Sequence, residues 1–163
     1  MTLEPKHISD SRVTLSVMMG PQDTNGLGNV HGGVIMRLVD EAGGLAAMRH
    51  ARRPAVTVAM DSMTFMQPIR VGMLVMFQAE LTYVGRTSME VRVQVVAENP
   101  LEGSVAVTNT AYLVFVALDE QGRPTPVPPL AYETEDEKHR AQLAQERQAY
   151  RKQQQHKEAE TWR

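Results

Sequence analysis

The order of the predicted elements constrains the fold most, because one helical segment is followed by four consecutive strands with short connections. Apolar residues at helical spacing run through residues 32–50, and Pro54 prevents the helix from continuing. Polar and apolar residues then alternate, most clearly in residues 88–98, as in a strand with one buried face. Strands are predicted at residues 12–19, 55–65, 73–84, 88–98 and 105–118. Short connections favour antiparallel neighbours, so we expect an α+β domain in which one long helix packs on an antiparallel sheet.

Length and composition narrow the classes of protein that the chain can be. Its 163 residues suffice for one domain with a substantial core. The net charge of −2 offers no basic field for nucleic acid or an anionic membrane, and we expect neither as a partner. No cysteine is present, which excludes disulfides, thiolate nucleophiles and cysteine-ligated zinc. Since there is no signal-like N-terminal segment and no run of ~20 apolar residues, we expect a cytoplasmic protein.

The C-terminal part of the chain differs in composition from the rest. From residue 133 onward it is dense in Glu, Lys, Arg and Gln and has few large apolar side chains. Thr134 and Glu137 have the spacing of a capping box, so we expect a helix to begin there. This helix cannot build a core of its own and should lie on the domain or on a partner subunit. We therefore predict a single domain at residues 10–130 and a charged helical extension at residues 131–163.

One face of the predicted central helix is built mostly from small residues. At 100° per residue it comprises Gly33, Met36, Asp40, Gly43, Gly44 and Ala47. Each glycine there costs roughly 0.8–1 kcal/mol relative to alanine, so we expect a close contact, with another subunit as one candidate. Asp40 lies in the middle of this face, whereas Glu41 lies beside Arg37 at the edge of the apolar face of the helix. We therefore expect Asp40 to be partly buried and to be either a functional group or a partner of nearby backbone.

The loop before this helix is rich in glycine and polar side chains. Gly32 and Gly33 leave backbone N–H groups free at the positive end of the helix, which suits an oxyanion. Asp40, about two turns further on, could activate water. Together these features indicate the hydrolysis of an acyl compound. Simpler interpretations remain, since Asn25 could belong to a turn and His31 could be structural.

Other signatures of catalytic and binding sites are absent or incomplete. The chain has no G-x-S-x-G or H-E-x-x-H motif and its five histidines are scattered, so we expect no metal. The glycine-rich loop resembles the start of a dinucleotide fingerprint, but His31 occupies the third glycine position and the βαβ context is missing. Arg86, Thr87 and Ser88, between two predicted strands, offer a cation and two hydroxyls that could bind a phosphate.

Taken together, these residues resemble the hotdog-fold acyl-CoA thioesterases. The similarity is strongest to the acyl-CoA hydrolase branch, which includes the cytosolic brain-type enzyme and bacterial relatives. It extends over residues 10–150. The matching positions are 25, 28–33, 40–43, 49–50, 61, 65, 68, 85–90, 128–130 and 133–138.

The resemblance implies a hotdog fold, in which a curved antiparallel sheet wraps a long central helix. It implies a homodimer with active sites at the interface, and a trimer of dimers, which is a hexamer. It also implies a hydrolase of fatty acid metabolism that converts fatty acyl-CoA to free fatty acid and CoA. No cofactor is expected, because CoA is part of the substrate. In this branch an asparagine of the loop and an aspartate of the helix come from different subunits, and they map onto Asn25 and Asp40.

The same resemblance suggests a role for each remaining site residue. Asp40 would be the general base on water, or the nucleophile, and Asn25 would orient the water or the carbonyl. The Gly33 N–H would face the thioester oxygen, while His31 and Gly32 shape the loop around the substrate. The CoA phosphates would meet three hairpin residues, Arg86, Thr87 and Ser88.

Two other functions are compatible with these motifs. A hydratase or dehydratase acting on acyl-CoA could use the same fold, with His31 and Asp40 as acid and base. A non-catalytic acyl-CoA-binding protein is the second alternative. Because the chain keeps both Asn25 and Asp40 and has no basic DNA-binding segment, we expect the thioesterase.

Overall fold

The computed structural model describes residues 3–161, which form two α-helices and seven strands. In chain order the elements are β1 (Lys6–His7), β2 (Val13–Met18), α1 (Gly32–Ala51), β3 (Ala55–Met60), β4 (Leu74–Val84), β5 (Ser88–Asn99), β6 (Ser104–Ala117), β7 (Leu130–Ala131) and α2 (Glu135–Thr161). Short 3-10 helices lie at Ile8–Ser11 and Pro21–Asp23. Residues 162 and 163, the end of the predicted extension, lie outside the described part of the chain.

Five strands form one antiparallel sheet in the order β2-β4-β5-β6-β3. This confirms the predicted α+β class with an antiparallel sheet. β3 is an edge strand that pairs only with the end of β6, and its register shifts between Thr57 and Ala59. β1 and β7 form a separate parallel pair, which the sequence pattern did not predict because two residues are too few to show a periodicity.

The core lies between α1 and the sheet, and α1 contacts all five strands of that sheet. From the strands, the fully buried side chains include Phe77, Leu81, Val91, Leu113 and Phe115. From α1, the buried apolar residues include Ile35, Leu38, Val39, Ala42 and Ala46. A long helix held inside a curled antiparallel sheet is the architecture that the resemblance implied.

Gly43 and Gly44 of α1 face the ring of Phe115 on β6. A Cβ atom at Gly43 would come within 3.0 Å of Phe115 Cε2, and one at Gly44 within 3.5 Å of Phe115 Cε1. The close contact expected at the small-residue face is therefore present. Its partner at these two glycines is a side chain of the same protomer and not of another subunit, the candidate that the sequence suggested. A helix of larger residues could not lie this close to the sheet.

β3 ends at Met60, five residues before the predicted end of the strand. The following residues, which we call the 61–68 loop, run beside β6 without a regular ladder. The Asp61 N–H donates to Tyr112 O at 2.9 Å, and the Met66 N–H donates to Thr108 O at 3.3 Å. Between these bonds the side-chain amide of Asn109 donates to the backbone oxygen of Thr64. A side chain of β6 thus takes the place of a ladder bond, which local alternation cannot reveal.

α2 begins with the predicted capping box. Thr134 Oγ1 accepts the Glu137 N–H at 3.1 Å, and Glu137 Oε2 accepts the Thr134 N–H at 3.2 Å. The helix lies on the outer face of the sheet, where Arg140 pairs with Glu80 of β4 at 2.7 Å. Of the two expected places for this helix, the domain and a partner subunit, the structure shows the first. Neither α1 nor α2 is long and apolar enough to cross a membrane.

Candidate active site

His31 is the N-cap of α1 and engages the predicted oxyanion donor. Its Nδ1 accepts the Gly33 N–H at 2.9 Å, so the neutral imidazole carries its proton on Nε2. A substrate oxygen could take the Gly33 N–H only after the imidazole turned away. The neighbouring Gly32 N–H has no acceptor among residues 3–161. At least one donor at the positive end of α1 is therefore already free.

Asn25 lies in the loop before α1, where part of its side chain stabilises a turn. Its Oδ1 accepts the Leu27 N–H at 3.0 Å, and its backbone N–H donates to Asn29 O at 2.7 Å. Gly28 closes the turn with a φ of 80°, a left-handed conformation that favours glycine. The interpretation of Asn25 as a turn residue is thus correct for its oxygen. Its Nδ2 has no partner in the described part of the chain and is free to donate.

Asp40 is half-buried on α1 and is bound by a residue of β3. Thr57 Oγ1 donates to Asp40 Oδ1 at 2.6 Å, and Asp40 Oδ2 has no partner among residues 3–161. Glu41 is exposed and pairs with Arg37 at 2.6 Å. The predicted difference between these two acidic residues is therefore confirmed. Thr57 was not predicted as a site residue, because its only signal in the sequence is a hydroxyl within the otherwise apolar β3.

The loop residues and Asp40 are not brought together within one protomer. Gly33 and Asp40 lie on the same face of α1 but seven residues apart, which is about 10 Å along the axis. Gly32, beside Gly33, and Asp40 line two different cavities. The N-terminal groove, of about 400 Å³, lies beside Gly32 and is lined mainly by Val30, Ile35, Phe65, Met66, Pro68 and Ile69. The second cavity, which we call the Asp40 groove, has a volume of about 440 Å³. Its lining residues include Asp40, Leu45, Met48, Ala55, Thr57 and Phe115.

The predicted phosphate-binding hairpin joins β4 to β5. Arg86 is exposed, and its guanidinium pairs with no acidic side chain of the described residues. Thr87 O accepts the Ala117 N–H at 3.1 Å, and Ala117 pairs in turn with Ala55 of β3. Ser88 is the first residue of β5. Two strand spacings, about 10 Å, therefore separate the hairpin from the Ala55 end of the Asp40 groove.

The chain is similar in sequence to thioesterases and acyl-CoA thioester hydrolases. The model of the thioesterase superfamily matches residues 27–104. A Bacillus subtilis protein named as an uncharacterized acyl-CoA thioester hydrolase is 39% identical over 136 residues, which are 83% of this chain and 79% of the relative. The cytosolic acyl-CoA thioester hydrolase of Homo sapiens is 38% identical over 84% of this chain. This chain spans only 37% of the length of that human relative.

Solved structures of acyl-CoA thioesterases superpose closely on the chain. An apo-hexameric acyl-CoA thioesterase has a TM-score of 0.89 and 37% identity, covering 93% of this chain and 97% of its own. An acyl-CoA hydrolase from Staphylococcus aureus, in complex with butyryl-CoA, CoA and CoA disulfide, has a TM-score of 0.88 and 34% identity. That match covers 96% of this chain and 95% of the S. aureus chain.

Three further structures are variants of the S. aureus hydrolase in which an asparagine, an aspartate or a threonine is replaced by alanine. The positions changed in that protein are separated by 15 and 17 residues, and the same intervals separate Asn25, Asp40 and Thr57. From these sequence and structural similarities, the chain belongs to the acyl-CoA thioester hydrolase family of the thioesterase superfamily and has its hotdog fold.

Proposed function

We propose that the protein hydrolyses fatty acyl-CoA to free fatty acid and CoA at a site that two copies of the chain build together. The surroundings of Asp40 carry this proposal. Its carboxylate lies in an open groove, with one oxygen held by Thr57 and the other free to accept a proton. The oxyanion donors lie about 10 Å away at the start of α1, so a second copy must supply the other half of the site.

The edge of the sheet next to Asp40 offers a surface for that second copy. β3 has one unpaired edge, and Val56 and Val58 on it are 44% and 55% exposed. Leu45 and Met48 of α1 add apolar surface in the adjoining Asp40 groove. Exposed apolar side chains beside an open strand edge are typical of an interface. A two-fold axis here would bring the Asn25 loop of each copy towards Asp40 of the other, and three such dimers would form a hexamer.

The polar atoms of the site that have no hydrogen-bond partner among the described residues suggest how the reaction proceeds. Asp40 Oδ2 takes a proton from water as the water oxygen bonds to the thioester carbon. The carbonyl oxygen becomes negative and accepts hydrogen bonds from Asn25 Nδ2 and from the Gly32 or Gly33 N–H. When the tetrahedral intermediate collapses, the C–S bond breaks and its electron pair leaves with the CoA thiolate. Direct attack by the Asp40 carboxylate is the variant of this mechanism.

The remaining parts of the substrate have matching surfaces. The N-terminal groove is lined mainly by apolar side chains and suits an acyl chain. Arg86, Thr87 and Ser88 supply one cation, two hydroxyls and backbone groups for the CoA phosphates. We assign the protein to the cytoplasm because its mammalian relatives are named as cytosolic hydrolases.

CoA release, followed with a thiol reagent, tests this function across acyl-CoAs from acetyl to palmitoyl. The protein has no cysteine, so it gives no background signal. We expect release by the wild type and a loss of about 10²–10⁴-fold in kcat for Asp40→Ala, with the fold intact. Thr57→Val should lower kcat by about tenfold, a loss of ~1.4 kcal/mol in transition-state stabilisation, because it removes the hydroxyl that orients the carboxylate.

Thr57→Ser is the matched control, because it keeps the hydroxyl and should retain most of the activity. Release of CoA by Asp40→Ala at nearly the wild-type rate would disprove the assigned role of Asp40. No release at any chain length would disprove the thioesterase. A hydration assay with an enoyl-CoA would then test the hydratase alternative directly.

A further inference from the structure

A buried cluster of charges joins α2 to the sheet, outside the proposed catalytic machinery. Glu90 of β5 is 3% exposed and lies beneath α2. It accepts hydrogen bonds from Thr82 at 2.8 Å, from Arg147 at 2.7 and 3.3 Å, and from Arg151 at 3.0 Å. Every acceptor oxygen of this carboxylate is therefore engaged, as a buried charge requires.

The two arginines that bind Glu90 differ in their second contact. Arg151 Nη1 donates to Asp61 Oδ2 at 2.7 Å, so this guanidinium bridges Glu90 and Asp61. Arg147 instead lies over the ring of Tyr112, 3.8 Å from its centroid, and makes no bond to Asp61. Burial opposes the charged guanidinium, but bonds to Glu90 and Asp61 outweigh this effect and raise the pKa of Arg151. Of these two arginines, only Arg151 connects Glu90 in the sheet to Asp61.

Asp61 is the first residue of the 61–68 loop, and this loop forms one wall of the N-terminal groove. Phe65, Met66 and Pro68 of the loop line the groove. The ring of Phe65 lies directly against the start of α1, since a Cβ atom on Gly32 would come within 3.3 Å of Phe65 Cζ. A shift of the loop would therefore change the width of the groove beside the free Gly32 N–H.

We propose that Arg151 is a positioning residue for acyl-chain binding. By bridging Asp61 and Glu90, it fixes the 61–68 loop and so sets the shape of the N-terminal groove. This inference rests on the proposed function, in which that groove receives the acyl chain. It assigns to α2 a role in substrate selection, because the ion pair of Arg151 with Asp61 joins the helix to the loop that lines the groove.

The test compares Arg151→Gln, Asp61→Ala and their double variant with Arg147→Gln as the matched control. We expect both single variants to raise KM for palmitoyl-CoA about tenfold, the equivalent of ~1.4 kcal/mol. Their kcat, and KM for butyryl-CoA, should stay close to wild type, because a short chain needs less of the groove. The double variant should be no worse than either single one, since both remove the same contact. Arg147→Gln should lower the melting temperature without changing KM.

Hydrogen–deuterium exchange gives a readout that does not depend on activity. The backbone amides of residues 61 and 66, which are hydrogen-bonded to β6, should exchange faster in Arg151→Gln and Asp61→Ala than in the wild type, and at the wild-type rate in Arg147→Gln. Equal effects of the two arginine variants on KM, or unchanged exchange in Arg151→Gln, would overturn the positioning role. Absence of CoA release from the wild type would instead refute the proposed function, while the exchange data would still decide whether Arg151 holds the loop.

Discussion

His50 is a titratable residue that the proposed chemistry does not use. It is fully buried near the end of α1, and its ring Nε2 lies 2.8 Å from Pro128 O. Because a carbonyl oxygen can only accept, the proton of the neutral ring lies on Nε2. Nδ1 is buried with no partner among residues 3–161. Burial is the largest effect on this group and lowers the pKa of His50, although the bond to Pro128 acts in the opposite direction.

This lowered pKa predicts how stability depends on pH. The unfolded chain binds a proton at His50 near the ordinary value of 6.5, whereas the folded chain resists it. The unfolded state therefore holds more protons below pH 6.5, so the contribution of His50 to stability is present above that pH. It is lost as the pH falls from 6.5 through the pKa of the folded protein. Melting temperatures from pH 8 to 5 should fall more steeply for the wild type than for His50→Gln. Parallel curves for the two proteins would contradict this account.

At the residue scale, the sequence could predict which of the two carboxylates is half-buried but not which residue binds it. The 100° helical spacing placed Asp40 on the small-residue face and Glu41 at the edge of the apolar face, and the structure has Asp40 half-buried and Glu41 exposed. Thr57 could not be found in this way. Its bond to Asp40 joins a helix to a strand 17 residues further on, and no local pattern aligns those two positions.

At the scale of elements, α1 has two adjacent glycines in different surroundings. A Cβ atom at Gly43 would lie 3.0 and 3.1 Å from two ring atoms of Phe115, which is 1% exposed and has little room to move. A Cβ atom at Gly44 would lie 3.5 Å from the same ring, an ordinary contact distance. Alanine adds about 0.8–1 kcal/mol of helix propensity at either position, so packing determines the sign of each change.

Gly43→Ala should therefore lower the free energy of unfolding, because overpacking of ~1–3 kcal/mol exceeds the gain in propensity. Gly44→Ala should leave the free energy of unfolding unchanged or raise it by up to ~1 kcal/mol. Urea titrations of the two variants beside the wild type measure both values. If Gly43→Ala proved as stable as Gly44→Ala, the ring of Phe115 would not be the reason for the glycine at position 43.

The ends of elements were predictable only where local residues determine them. Thr134 and Glu137 form the capping box of α2 within four residues, so the sequence alone locates that helix start. The end of β3 depends instead on Asn109, whose side chain bonds to Thr64 from a strand far along the chain. Apolar residues recur at positions 63 and 65 beyond Met60, so the sequence did not show that the ladder stops there.

At the scale of the whole molecule, one short chain carries every residue of the proposed site. The chain spans 37% of the length of the human cytosolic relative, yet it contains both Asn25 and Asp40. Identical copies could therefore complete two sites for each other across a two-fold axis. This arrangement can be tested by dividing the two residues between subunits.

Asn25→Ala and Asp40→Ala should each be inactive alone but regain activity when their subunits are mixed and exchanged. About half of the dimers would then contain one subunit of each kind, with one of two sites intact. We expect about a quarter of the wild-type rate of CoA release from an equal mixture, with exchange verified by native mass spectrometry. No recovery in a mixture whose subunits have exchanged would show that Asn25 and Asp40 act within the same subunit.

The open edge of β3, with its exposed Val56 and Val58, also bears on how activity responds to gene expression. A site shared by two protomers exists only in the assembled fraction, which rises with concentration by mass action. When protomers are scarce, thioester turnover would grow with the square of their concentration, and it would become linear once most are paired. The protomer concentration would then act as a threshold. Below it most chains are unpaired and hydrolyse little acyl-CoA, and above it most are paired and active.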